Sequence, residues 1–384
     1  MNSKKIKNYL PQILTLLTII LIFGFFTFNA QINMDNRGID FGFGFLKQEA
    51  SFDIQFSLIE YSGTDTYFRA YLVGLINTLL VSVIGIFFCT IIGVIVGIAR
   101  LSPNYLVEKL ATIWVEFFRN IPLLLQLFFW YYAALRALPL PKDAVNFFDI
   151  SYLSVKGWYI PKFVWTNYSI FFYSVIAAAI SIFFIYRFAK KQRDETGKYV
   201  PAFLLSFLTI IIVPALTFLI AGVSLSFEYP VLTQMTKTIF NFKGGVGIPP
   251  ELMALALALS LYTSTFIAEN VRAGIMGVGK GQKEAAASIG LTTGQILKLV
   301  VMPQALRIII PPTTNQYLNL TKNSSLAAAI AYPDLVLVFA GTAMMQTGRA
   351  IEIISITMLT YLTISLSISA FMNWYNKKVA IKEK

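Results

Sequence analysis

The sequence EAAASIGLTTGQILKLVVMP, from Glu284 to Pro303, is a polar segment between two long apolar runs, and we name it the EAA segment after its first three residues. Its first part is typical of a short helix, and Gly290 is a typical residue for the C-terminal end of that helix. Thr292 or Thr293 is a typical N-cap of a second helix. Pro303 is expected to end the second helix before the next apolar run. The segment therefore predicts a compact protrusion of two short helices.

The first predicted helix of the EAA segment carries a run of small residues after Glu284, namely Ala285, Ala286, Ala287 and Ser288. Small side chains allow a partner protein to approach closely. Two short helices that meet at a glycine also make a stiff structure, which is required of a contact that transmits movement. An ordinary amphipathic connector between two helices is the alternative interpretation.

The composition excludes most soluble classes of protein. Of 384 residues, 57% are hydrophobic and only 13% are charged, which is not typical of a soluble globular domain. The chain has no histidine, so histidine-ligated metal sites and histidine-based catalysis are excluded. With Cys89 as its one cysteine it forms no intrachain disulfide. The net charge of +12 does not indicate nucleic-acid binding, because the basic residues lie in short loops beside apolar runs.

The apolar residues form runs that are long enough to cross a bilayer, which takes about 20 residues. We therefore predict an all-α, polytopic membrane protein with about eight transmembrane helices. The predicted spans are Leu10–Phe28, Phe68–Ile98, Ile113–Leu135, Asn167–Tyr186, Val200–Ser224, Leu252–Asn270, Ala305–Ile330 and Ile351–Trp374.

The distribution of basic residues predicts the orientation of these spans. With the N-terminus inside, 19 lysines and arginines fall in inside segments and 11 in outside segments, with Arg119 near a span end. This bias has the sign of the positive-inside rule. Both termini and the EAA segment are then cytoplasmic. The first span follows Lys4, Lys5 and Lys7 like a signal peptide, but its apolar run is longer than a usual signal core, which favours an uncleaved anchor.

The sequence GIMGVGK, from Gly274 to Lys280, satisfies the spacing of a phosphate-binding loop. Gly281 stands where such a loop needs serine or threonine for magnesium, and a membrane helix precedes it instead of a strand. We therefore expect no ATP binding in this chain, no catalytic residue and no metal site.

The seventh predicted span contains Pro311 and Pro312, which we expect to interrupt its helix. Polar residues follow over about two turns: Asn315, Gln316, Asn319, Lys322, Asn323 and Ser324. Asn315, Asn319 and Lys322 fall on one helical stripe. Such a stripe is costly against lipid, so it faces either a pore that binds a polar substrate or another helix through hydrogen bonds. The sequence leaves both interpretations open.

Two ion pairs are predicted at a helical spacing of three residues, Glu116 with Arg119 and Glu269 with Arg272. Both lie near predicted span ends. Local pairing at the membrane edge is the favoured interpretation. The alternative is that these pairs brace the EAA segment or form a gate.

Several blocks, in order, resemble one known family. They are GLINTLLVSVIG from Gly74, EFFRNIPLLLQLFFWYY from Glu116, ELMALALALSLYTSTFIAENVRAGI from Glu251, the EAA segment, and QALRIIIPPTTNQYLNLTKNSSLAAAIAYPDL from Gln304. The chain is similar to the polar amino acid (histidine/glutamine-type) subfamily of ABC transporter permeases. Within this subfamily it most resembles permeases of general L-amino acid or glutamate/glutamine/aspartate/asparagine importers. This resemblance rests on two further blocks, RGIDFGFGFL from Arg37 and DTYFRAYLVGL from Asp65.

The resemblance implies the permease core of a type I ABC importer in the bacterial inner membrane. It implies that Glu284, Ala285, Ala286, Gly290 and Pro303 couple this core to an ATPase. The expected partners are a second permease in a heterodimer, two cytoplasmic ATPase subunits that bind ATP and magnesium, and a periplasmic amino-acid-binding protein. The chain itself is expected to be no enzyme and to bind no cofactor.

The resemblance also implies a division of the chain. Its expected parts are an N-terminal anchor with a periplasmic segment (1–66), the first part of the core (67–136), an inserted periplasmic segment with an extra helix pair (137–250), the second part of the core with the coupling loop at 278–303 (251–376), and a cytoplasmic tail (377–384). The resemblance leaves the role of the insertion open. A stand-alone secondary transporter or channel is the alternative function, because the seventh span is predicted to be broken.

Overall fold

The computed structural model describes residues 3–36, 42–166, 168–197, 200–220, 222, 225–236 and 240–379. The predicted span ends at Asn167 and Ser224, the start of the block at Arg37 and the last five residues of the predicted tail lie outside the described residues. The chain divides into two compact units, Met1–Ala134 with Glu251–Lys384, and Leu135–Pro250.

Helices dominate the first unit. Before the second unit they are α1 (Ser3–Asn36), α2 (Tyr67–Ala99), α3 (Tyr105–Asn120) and α4 (Leu123–Phe128). The second unit contains α5 (Tyr168–Thr196) and α6 (Ala202–Ile220). The first unit then continues with α7 (Pro250–Met276), α8 (Lys280–Ser288), α9 (Thr293–Ile296), α10 (Met302–Asn323), α11 (Met344–Thr347) and α12 (Ala350–Val379). Three π-helical turns extend them at Phe129–Leu135, Leu297–Val301 and Val336–Ala343, and a 3-10 turn follows α10 at Ser324–Ile330.

The polytopic helical fold predicted from the sequence is confirmed. Among the described residues, seven helical segments are long and apolar enough to cross a membrane: Pro11–Asn33, Tyr67–Ala99, Ser169–Thr196, Ala202–Ile220, Pro250–Met276, Thr293–Ile330 and Ala350–Val379. Two shorter apolar helices, Leu123–Leu135 and Val336–Thr347, accompany them. The second of these short helices was not predicted from the sequence as an element of its own.

The third predicted span, Ile113–Leu135, is not one helix. The chain is helical up to Asn120 and then extended at Ile121, with φ −94° and ψ 128°. Pro122 explains this break, because a proline disfavours helical backbone at the residue before it. The preceding helix α3 is amphipathic, and its apolar residues Leu106, Leu110, Ile113 and Phe117 are exposed along one face.

Helix α10 is continuous through Pro311 and Pro312, so the predicted interruption of the seventh span is wrong. Each proline removes one backbone donor, but the helix is held by packing on both sides of them. Ile309 and Ile310 precede the prolines and Thr313 follows them, and all three side chains are buried. Tertiary packing therefore outweighs the local preference of the two prolines.

Two glycines of α2 allow this helix to pack closely against α7. A Cβ added at Gly93 would lie 2.6 Å from the Cβ of Ile267, and one added at Gly97 would lie 2.7 Å from the carbonyl oxygen of Ala268. These two glycines are spaced four residues apart, which is the pattern of small residues that brings membrane helices together. They fix α2 against the helix that leads into the EAA segment.

A second core lies where the segment before α2 packs on the short helix Val336–Thr347. Phe45, Tyr67 and Phe339 are buried there, and the rings of Phe45 and Phe339 are stacked with centroids 6.4 Å apart. The buried carboxylate of Glu352 accepts a 2.9 Å hydrogen bond from the backbone N–H of Gly42. This segment is therefore folded onto the helices and does not lie free beside them.

The second unit contains short strands that the sequence analysis did not predict. They are β1 (Val145–Phe147), β2 (Ser151–Ser154), β3 (Gly157–Ile160), β4 (Lys162–Trp165), β5 (Leu225–Glu228), β6 (Val231–Gln234), β7 (Phe240–Lys243) and β8 (Val246–Ile248). Antiparallel pairing gives one sheet in the order β1-β2-β3-β8 and two ladders, β4-β5 and β6-β7. Helices α5 and α6 lie between β4 and β5 in the chain, so the ladder β4-β5 joins the two ends of this helix pair.

Candidate functional site

The glycine of the EAA segment closes α8 with a Schellman motif. The N–H of Gly290 donates to the carbonyl oxygen of Ala287 at 2.9 Å, and the N–H of Leu291 donates to that of Ala286 at 3.3 Å. Gly290 has a φ of +85°, a conformation that glycine adopts readily and other residues avoid. The predicted helix end at Gly290 therefore has its expected geometry.

The alanines of α8 do not form one exposed face. Glu284 and Ala285 are exposed, as are Ala287 and Ser288. Ala286 is only 5% exposed, because α8 packs against α9 and against the π-helical turn Leu297–Val301. The small side chain at Ala286 therefore serves packing within the segment, while its neighbours present the accessible surface.

A capping box begins α9 at Thr292. The N–H of Gln295 donates to the hydroxyl oxygen of Thr292 at 3.4 Å, and the N–H of Thr292 donates to the side-chain oxygen of Gln295 at 2.9 Å. This reciprocal pair satisfies two donors at the helix start. Of the two threonines that the sequence analysis considered, Thr292 is the cap.

Pro303 does not end the second helix of the EAA segment, contrary to the prediction. The N–H of Met302 donates to the carbonyl oxygen of Leu297 in a π-helical turn, and Pro303 follows in the first turn of α10. Pro303 lacks a backbone donor, and the wider π-helical turn that directly precedes α10 accommodates it. The chain is consequently helical from Thr293 to Ile330, and the EAA segment continues directly into the polar helix.

The six polar residues predicted on α10 lie in different environments. Asn315, Asn319 and Lys322 are exposed, Gln316 and Asn323 are half-buried and Ser324 is buried. The hydroxyl of Ser324 donates to the carbonyl oxygen of Thr321 at 2.7 Å. Within the described part of the chain, the side chains of Asn315 and Asn319 accept and donate no hydrogen bond. The interpretation as glue between helices of this chain therefore does not apply to these two residues.

Both predicted ion pairs are formed, but only one extends to a second helix. Glu116 and Arg119 form an exposed pair at 3.3 Å. Glu269 pairs with Arg272 at 2.5 Å and also, with its other oxygen, accepts a short hydrogen bond from Arg100 at the end of α2. Arg100 was missed because 169 residues separate it from Glu269, and no local spacing connects them.

The two helices that flank the EAA segment are in close contact. Gly274 of α7 faces Ile309, and a Cβ added there would also lie 3.2 Å from the carbonyl oxygen of Ala305. The amide of Asn270 donates to the hydroxyl of Thr313 at 3.4 Å. The EAA segment thus leaves from and returns to one packed pair of helices.

Comparisons with known proteins identify the relatives of this chain. The family model described as "Binding-protein-dependent transport system inner membrane component" matches residues 195–381. The putative amino-acid ABC transporter permease protein YhdX of Escherichia coli strain K12 is 48% identical over 99% of this chain and 95% of its own. This chain belongs to the family of amino-acid ABC transporter permeases. The permease is also 46% identical to the general L-amino acid transport system permease protein AapQ of Rhizobium johnstonii, over 100% of this chain and 95% of that one.

A solved structure described as an amino acid ABC transporter with histidines is 18% identical to the permease. The match covers 81% of this chain and 95% of that one with a TM-score of 0.48. By its family, the permease is an integral protein of the bacterial inner membrane and a permease subunit of an ABC importer.

Proposed function

We propose that this permease forms part of the path for L-amino acids in an ABC importer and that its EAA segment is the contact surface for the ATPase. The observation that carries this proposal is the continuity between the two features. The capped pair α8 and α9 is stiff, and its second helix runs without a break into α10 with exposed Asn315 and Asn319. A push on the exposed surface at Glu284 and Ala285 is therefore delivered to the polar helix.

The substrate class follows from the chemistry of the polar stripe and from the relatives. Amide side chains offer both donors and acceptors, which suit the ammonium and carboxylate groups of an amino acid. Exposed amides on a membrane helix are costly against lipid, so Asn315, Asn319 and Lys322 face a water-filled path or a second permease. The names of the relatives, a general L-amino acid permease among them, support the same class.

The EAA segment and both termini are cytoplasmic in this proposal, because the basic residues favour that orientation. ATP and magnesium bind to the ATPase subunits, and the proposed assembly contains a second permease, two such subunits and a periplasmic amino-acid-binding protein. ATP binding draws the EAA segments together and opens the path outward, and hydrolysis resets it. Glu284, Ala285, Ala286, Gly290 and Pro303 shape the coupling contact. Gln316 and Asn323 complete the polar end of α10, and Ser324 follows directly after it.

The proposal is tested by co-expressing the permease with its ATPase and second permease, purifying the complex, and measuring uptake into proteoliposomes in the presence of the binding protein. We expect the two to co-purify and uptake of L-amino acids to require ATP. Uptake by the permease alone, driven by an ion gradient, would support the stand-alone transporter instead. That alternative has lost the observation that favoured it, because α10 is not broken at Pro311 and Pro312.

A further inference from the structure

Glu269 lies in the apolar helix α7, where a carboxylate without a partner would be strongly unfavourable. Two arginines surround it. Arg272 contacts it from one turn later on α7 with both Nη2 and Nε, at 2.5 and 3.3 Å. Arg100 contacts it from the end of α2 through Nη1. The carboxylate is thus fully engaged between two helices, in contrast to the exposed pair of Glu116 and Arg119, which lies within one helix.

The position of Glu269 relates it to the EAA segment. It lies seven residues before the end of α7 at Met276, about two turns. Over these two turns α7 is packed against α10 through Gly274 and through the hydrogen bond from Asn270 to Thr313. We call this packed pair of α7 and α10 the base of the EAA segment. The ion pair with Arg100 therefore links α2 to the base.

Packing holds α2 against α7, but packed helices can still make small sliding movements past one another. At Gly93 and Gly97 the contact with Ile267 and Ala268 is close van der Waals packing. The ionic contact lies one turn beyond Gly97, at Arg100. It is directional, and it adds to the packing a restraint against sliding of α2 along α7.

We propose that Glu269 is a positioning residue that ties α2 to the base of the EAA segment through Arg100, so that α2, α7 and α10 move together when the ATPase displaces the segment. This inference rests on the proposed function, in which the ATPase displaces the EAA segment. Without the ion pair between Arg100 and Glu269, displacement of the EAA segment moves α7 and α10 but not α2. ATP is then hydrolysed with less transport.

The test uses the complete reconstituted importer and the ratio of amino acid imported to ATP hydrolysed. Glu269→Gln removes the charge, and Arg100→Gln removes only the contact to α2 and leaves Arg272 paired. We expect both variants to keep the ATPase subunit bound and to retain their thermal stability in detergent. The ratio of amino acid imported to ATP hydrolysed should fall by about tenfold, which is within the usual range of coupling free energies. The conservative variant Arg100→Lys keeps a cation at the end of α2 and leaves the pair of Glu269 with Arg272 intact, so it is expected to recover the ratio.

Glu116→Gln is the matched control, because it removes an ion pair of the same spacing that contacts no second helix. Its ratio is expected to equal that of the wild type. An unchanged ratio in Arg100→Gln, or a folded Arg100→Lys that is as uncoupled as Arg100→Gln, would overturn the inference. Arg100→Gln decides alone if Glu269→Gln does not insert. If the wild-type importer itself shows no ATP-dependent uptake, the proposed function fails and not merely this inference.

Discussion

The N–H of Gly290 donates a 2.9 Å hydrogen bond to the carbonyl oxygen of Ala287 and thereby turns the chain from α8 into α9. The turn depends on the left-handed backbone of Gly290, with a φ of +85°. It sets the angle between the two helices that we propose the ATPase contacts. Substitutions at the ends of these helices should therefore alter coupling before they alter the membrane-spanning part of the permease.

Gly290→Ala is expected to destabilise the turn by about 1–2 kcal/mol, the cost of left-handed backbone for a residue with a Cβ. The surroundings add nothing to this cost, because a Cβ at Gly290 meets no atom within 4 Å. The amount of ATPase that co-purifies with the permease should fall. Gly281→Ala is the control, since Gly281 lies within α8 in equally open space and without a positive φ. An equal loss of co-purified ATPase in both variants would show that binding of the ATPase does not depend on the turn at Gly290.

Thr292→Ala removes the capping box of α9 and is expected to cost about 1 kcal/mol of local stability. Hydrogen exchange of the amides from Gly294 to Ile296 should become faster, while exchange within α10 remains slow. Thr293→Ala serves as the control, because Thr293 is the first residue of the helix and not its cap. The account of the cap is wrong if the two variants exchange alike.

Gly93→Ala is expected to destabilise the permease by about 1–3 kcal/mol, the usual cost of overpacking. The added Cβ would lie 2.6 Å from that of Ile267 and 2.9 Å from the carbonyl oxygen of Ser264, so α2 and α7 must move apart. The measurement is the melting temperature in detergent. Gly24→Ala provides the comparison, since Gly24 in α1 has no atom within 4 Å; a larger decrease at Gly24 than at Gly93 would contradict the packing.

Asn315→Leu with Asn319→Leu is expected to reduce uptake strongly while the permease remains in the membrane and bound to its ATPase. The physical reason is the loss of amide groups from a water-facing stripe. Ile308→Leu, an apolar change on the same helix, should leave uptake unchanged. If the double leucine variant instead transports normally and melts at a higher temperature, the stripe faces lipid and the pore assignment is wrong.

The sequence predicted most of the membrane-spanning elements and the helix boundaries at Gly290 and Thr292, because long apolar runs and the glycine and threonine signals of the EAA segment act locally. It failed where packing competes with a local preference. Pro311 and Pro312 remain helical because Ile309, Ile310 and Thr313 are buried around them. Conversely, the apolar run across Pro122 concealed a break, since hydropathy does not register the backbone restriction that a proline imposes.

Contacts between distant parts of the chain were the other limit. The sequence paired Glu269 with Arg272 because they lie three residues apart, but nothing local indicates Arg100. The same holds for the strands of the second unit. Each has only three or four residues, too few for an alternating pattern to appear, and β3 pairs with β8 across the whole helix pair α5 and α6.

The central claim is that an ATPase moves this permease through the EAA segment. The most direct measurement is amino acid uptake by proteoliposomes that contain the complete importer with Glu284→Lys, a charge reversal at an exposed position of α8. We predict that this variant reaches the membrane but imports no amino acid and loses the stimulation of ATP hydrolysis by substrate. The matched reversal Glu195→Lys, on the exposed end of α5, should retain both. Substrate-stimulated ATP hydrolysis at the wild-type rate in Glu284→Lys would contradict the account.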